Sequence, residues 1–237
     1  MLDRSLVAAV KDGLADVADP AKATGMRAYM KSAMPYRGVP APGQDKLFRR
    51  LFAEHPLEGV AVWRATVLAL WREAEYREER YAAISLSGHR RYRGYQTPAT
   101  VQMYEEMVVD GAWWDYVDAV AIHRIGPLVS AYPGRLKPLM QRWSGDADRW
   151  RRRTSIICQV GARGAADVEL LYDCIEPNLD DRDFFIRKAI GWALRQYAWT
   201  DPDEIERYVA EQGDRLSGLS RREALKNIAK IRHQAAG

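Results

Sequence analysis

The chain has 237 residues, 47% of them apolar, with a formal net charge of +4. Its two cysteines (Cys158, Cys174) and four histidines (His55, His89, His123, His233) are scattered, which argues against a disulfide framework or structural zinc site and suits a reducing compartment. No run of about 18 apolar residues is present, and the opening "MLDRSLVAAVKDGLADVAD" is interrupted by acids, so neither a membrane span nor a signal peptide is expected and the expected location is cytoplasmic.

Helical spacing runs through the chain without sustained period-two alternation. Leu6, Val10, Leu14 and Val17 form a first stripe. Asp19-Pro20 reads as a cap and first-turn proline opening a helix to about Ala33. "PYRGVPAPG" (35–43) is the clearest loop. Helical patterns follow in "QDKLFRRLFAEH", "LEGVAVWRATVLALWREA" and around "ERYAAISL". Thr97-Pro98 opens another helix, closed by Gly111, and further breaks fall at 132–134, Gly145, 161–164, 177–178, 201–202 and Gly213. The expected class is all-α.

Four segments resemble one another: "ERYAAISL" at 79, "VDAVAIHR" at 117, "RRTSIICQ" at 152 and "RKAIGWAL" at 187. With Arg80, Asp118, Arg153 and Lys188 as equivalents, the spacings are 38, 35 and 35. A period in the high thirties with two helices per unit predicts a HEAT-like α-solenoid of stacked antiparallel helix pairs, read as one domain over 1–237. The position heading each inner helix is basic in three units and acidic only at Asp118.

Positive charge is uneven. Residues 141–163 carry six arginines against two aspartates, and 214–233 carry six Lys/Arg against Asp214 and Glu223. Near aromatics this permits nucleic-acid binding; a solvated helix face is the plainer alternative.

In "AWWDYVD" (112–118), i,i+4 spacing places Trp114 and Asp118 on one stripe, and Trp113 with Val117 and Val120 on an apolar one. One tryptophan then anchors while the other is presented; the alternative is that both lie in the core and Asp118 caps a helix or forms an ion pair. Trp192 shares a stripe with Lys188 and Arg195, yet its repeat register matches Ile84 and Ile157, so an outward and a core placement both remain open. Arg153 lies with Trp150 and Ile157, where a guanidinium needs a carboxylate or a phosphate.

The segments "MRAYMKS" (26–32), "WWDYVD" (113–118), "FFIRKAIGWALRQYA" (184–198) and "LSRREALKNI" (219–228), in order, resemble the AlkD-like DNA alkylation-repair glycosylases. The resemblance implies a HEAT-like body with a concave basic face. It implies removal of cationic alkylpurines, chiefly 7-methylguanine and 3-methyladenine, from duplex DNA with no metal or cofactor. Residue by residue it puts catalysis on Asp118, Trp114 and Trp192, and DNA contact on Arg153 and Tyr29, with Lys188 and Arg195 as neighbouring cations. A fixed carboxylate would stabilise the oxocarbenium-like sugar, and tryptophan faces would attract a cationic nucleotide. The expected partner is alkylated duplex DNA, with no membrane and no second copy of the chain. A silent binder of damaged or branched DNA and a protein scaffold are the alternatives.

Overall fold

The computed structural model describes residues 2–235, which are helical with no strand among them. The chain, read from sequence as one domain, divides into two compact units, Met1–Gln96 and Thr97–Gly237.

The first unit contains α1 (Arg4–Asp16), α2 (Pro20–Met30), α3 (Ala41–Glu54), α4 (Val60–Arg72) and α5 (Arg77–Ser87). Leu6, Val10 and Leu14 of α1 are fully buried, but Val17 is 50% exposed, because the helix stops at Asp16 and Val17 only caps it. Asp19 caps α2 as expected, accepting from the amides of Ala21 and Lys22. The helix ends at Met30, short of Ala33, because Lys31 adopts a left-handed φ of 49°. The 35–43 loop is shorter than its composition suggests, since Ala41, Pro42 and Gly43 form the first turn of α3. A fully buried carboxylate holds what remains. Glu78 of α5 accepts from the amides of Arg37 (3.0 and 3.1 Å), Gly38 (2.9 Å) and Val39 (3.2 Å), pairing donors that irregular backbone would otherwise leave unsatisfied.

The second unit contains α6 (Val101–Gly111), α7 (Trp114–Val120), α8 (Gly126–Ala131), α9 (Pro133–Ser144), α10 (Arg149–Ile157), α11 (Val168–Ile175), α12 (Phe184–Tyr197), α13 (Pro202–Gln212), α14 (Gly218–Leu225) and α15 (Ile228–Ala235). Helices α7, α10, α12 and α14 form a row, each packed on the next. A second row backs it: α9 lies against α10 and α11, and α11 meets α13 through the stacked rings of Tyr172 and Tyr208, 4.0 Å apart. Three of the four repeat equivalents, Asp118, Arg153 and Lys188, therefore sit on successive helices of one row, while Arg80 falls on α5 of the first unit.

Two glycines set the spacing of that row. Between α7 and α8 the chain makes a π-helical turn over Ala121–Ile125, where the Gly126 amide reaches the carbonyl of Ala121. Pro127 has no amide to give the His123 carbonyl, which instead accepts from Arg124 Nη1 at 2.9 Å. A Cβ on Gly126 would lie 2.1 Å from the carbonyl oxygen of Cys158, so only glycine lets this turn touch the end of α10. Between α12 and α14, a Cβ on Gly191 would lie 2.5 Å from Glu223 Cβ and 2.8 Å from the Ser220 carbonyl oxygen. Gly191→Ala should therefore push α14 away and lower unfolding free energy by about 1–3 kcal/mol, as overpacking does. A urea titration with unchanged midpoint would show that α14 moves without cost.

Candidate active site

Asp118 projects from the second turn of α7. That helix starts at Trp114, because Trp113 is in an extended conformation (φ −150°, ψ 144°) at the cap position. The helical stripe expected for Trp113 with Val117 and Val120 is thus absent. Trp113 is half-buried by a different route, edge-on to Phe185 at 5.6 Å and tilted on Trp150 at 6.5 Å.

Arg153 of α10 grips Asp118 with both prongs of its guanidinium. Its Nε donates to Oδ1 at 2.7 Å and its Nη2 to Oδ2 at 2.8 Å, while Nη1 donates to the Phe185 carbonyl at 2.6 Å. The expectation that Arg153 meets a DNA phosphate gives way here: all three guanidinium nitrogens are engaged within the protein and its side chain is only 6% exposed. Asp118 is the more open partner, at 14%, so Arg153 stands behind the carboxylate. A carboxylate has about four acceptor positions and Arg153 takes two, so two remain for a ligand or a water. Burial pushes the Asp118 carboxyl above the usual range, Arg153 opposes the rise, and Asp115 adds to it.

The rest of the arginine run is also paired. Arg149 reaches Asp183 at 3.1 Å, Arg151 reaches Glu105 at 2.9 Å and Asp146 at 3.2 Å, and Arg152 reaches Asp181 at 3.1 Å. Four of the six arginines in 141–163 are thus met by carboxylates, from α6, from α7, from Asp146 within the stretch itself and from the turn that precedes α12. Lys188 and Arg195, expected to face DNA, both pair with Glu223 of α14, Lys188 at 2.8 Å. They clamp α12 to α14.

An open cleft of about 990 Å³ lies over Asp118. Trp114 and Trp192 line it with Asp118, and it continues along the π turn past His123 and Gly126 to Gly161 and Arg163. Trp192 is half-buried, unlike its register equivalents Ile84 and Ile157, which are 6% and 0% exposed. The structure thus gathers Trp114, Asp118, Arg153 and Trp192 at one place in the second unit. Tyr29 belongs to the first unit, on α2, where it is 78% exposed beside a hollow of about 320 Å³ lined by Met26, Met30, Tyr36 and Tyr81. Sequence reasoning missed the π turn and Arg163; the break at 161–164 was visible, but not that it borders the cleft.

The row of stacked helices thus carries a carboxylate held by an arginine in a cleft that two half-buried tryptophans line. The family model for DNA alkylation repair enzymes matches residues 10–228, and the chain belongs to that family, whose role is the repair of alkylated DNA. It is also similar to the solved structure of a predicted DNA alkylation repair enzyme from Enterococcus faecalis, at 31% identity and a TM-score of 0.79, over 90% of this chain and 97% of that one. No curated protein matches the chain.

Proposed function

We propose that the chain hydrolyses the N-glycosidic bond of cationic alkylpurines, such as 7-methylguanine and 3-methyladenine, in duplex DNA. The observation that carries this reading is the Asp118 carboxylate, held in a fixed orientation by Arg153 and open to a cleft walled by Trp114 and Trp192.

Alkylation at N3 or N7 makes the purine a good leaving group without protonation. As the C1′–N bond breaks, its electron pair leaves with the base, which becomes neutral, and positive charge passes to the sugar. A carboxylate beside C1′ attracts that charge more in the transition state than in the ground state. Water then adds to C1′ and loses a proton, which the Asp118 carboxylate accepts. Because Arg153 sets the carboxylate before substrate arrives, little reorganisation accompanies the reaction. The tryptophan faces attract a charged nucleotide and not its neutral counterpart, which adds selectivity.

The direct test is release of 7-methylguanine from a duplex by the purified chain, with undamaged guanine as the control; no release refutes the reading. A second test separates the two placements of Trp192. Trp192→Ala should weaken excision by about 0.5–2 kcal/mol, the range for a cation–π contact. Its Tm should fall by much less than truncation of a core tryptophan, about 3–5 kcal/mol, would require. A melt showing the full core loss would make Trp192 a packing residue.

A further inference from the structure

We propose that Arg163 is the cation that meets the DNA backbone at this cleft, an assignment that rests on the glycosylase reading above. The cations expected to do so are already engaged within the protein: Arg153 by Asp118, Lys188 and Arg195 by the one carboxylate of Glu223, and Arg149, Arg151 and Arg152 by their own carboxylates. A nucleotide whose sugar lies against Asp118 brings phosphates within one nucleotide's length, and a cation free of internal partners on the cleft wall is placed to receive one. Arg163 lines the same cleft as Trp114, Asp118 and Trp192. It is exposed, and among the described residues its guanidinium makes no ion pair or hydrogen bond.

The loop that carries it is built to hold its position. Gln159 closes the base of the loop against Asp167 on both sides: its Nε2 donates to the Asp167 carbonyl at 3.0 Å, and its Oε1 accepts from the Asp167 amide at 2.8 Å. Asp167 is fixed in turn by Lys137 and by capping α11 through the Leu170 amide at 3.1 Å. At the tip, Arg163 has a left-handed φ of 52°, which a side chain other than glycine adopts only at a cost. A glycine follows at 164 and another precedes at 161, so glycine would suit the conformation at 163 equally well. An arginine there retains a strained backbone and gains nothing inside the protein, which fits a residue kept for an outside ligand.

The experiment measures binding of the full chain to a short duplex containing one 7-methylguanine, across a series of salt concentrations. Arg163→Gly should fold at least as well as the parent by thermal melt. It should lower the slope of log affinity against log salt by about 0.9, the signature of one lost phosphate contact. Arg163→Lys should keep the slope, since the charge remains. A parent-like slope in Arg163→Gly, from a parent that binds and excises, overturns the Arg163 assignment alone. A parent that neither binds nor excises overturns the glycosylase reading and this assignment with it.

Discussion

Asp118→Asn should remain folded and bind alkylated duplex while losing about 3–4 kcal/mol of transition-state stabilisation, a fall of some 10²–10³ in single-turnover excision. Asparagine keeps the shape of the side chain, and its carbonyl can still accept one Arg153 N–H while the Phe185 carbonyl takes another. What disappears is the negative charge facing the sugar. The rate should be normalised to the folded fraction by circular dichroism, because Arg153 loses its counterion in this variant. Release of 7-methylguanine within a few-fold of the parent would end the case for Asp118 as the charge-stabilising group.

Arg153→Ala should damage the protein in another way. It strands a carboxylate that the fold keeps mostly from water, and breaking a pair of this kind costs about 3–5 kcal/mol. The sign of its pH dependence follows from the Asp118 carboxyl. Burial already raises it above its ordinary value, and removing Arg153 removes the opposing influence, so the value rises further. The working form is ionised, so excision in the parent is lost as pH falls through the raised value, and in Arg153→Ala that acid limb should move to higher pH. Stability responds oppositely. With the folded-state value above the unfolded one, the variant should be least stable at high pH and recover as pH falls and the carboxyl is protonated. A phosphate-binding Arg153 would show neither shift and would instead flatten the salt dependence of DNA affinity. An unmoved acid limb together with that flattening would return Arg153 to the backbone.

Much of this was legible in the repeat. The equivalence of Asp118, Arg153 and Lys188 placed them on successive helices, and equivalent positions on neighbouring helices of a row are neighbours in space. Asp118 and Arg153 are 35 positions apart and opposite in charge, as are Lys188 and Glu223. The period that revealed the fold therefore also contained the ion pairs, a use that requires reading charge across units rather than along one helix. Cap geometry was less accessible. Trp113 fits a helical stripe by spacing, but the helix begins one residue later, and no pattern of apolar residues marks that boundary. The half-burial of Trp192 was beyond the repeat register, because Ile84 and Ile157 share its position but not its surroundings.

The carboxylate of Glu78 has a consequence for how the first unit comes apart. Residues 37–39 have no regular structure, and such a stretch ordinarily opens by itself, exchanging its amide hydrogens with solvent far faster than the helices around it. Here all three amides bond to one fully buried side chain at the start of α5. Opening the loop alone would leave a charge in the interior with nothing to bond, so loop and helix turn must let go together. Their amides should exchange at a common rate, making this proline-rich segment, in kinetic terms, part of the helix it faces.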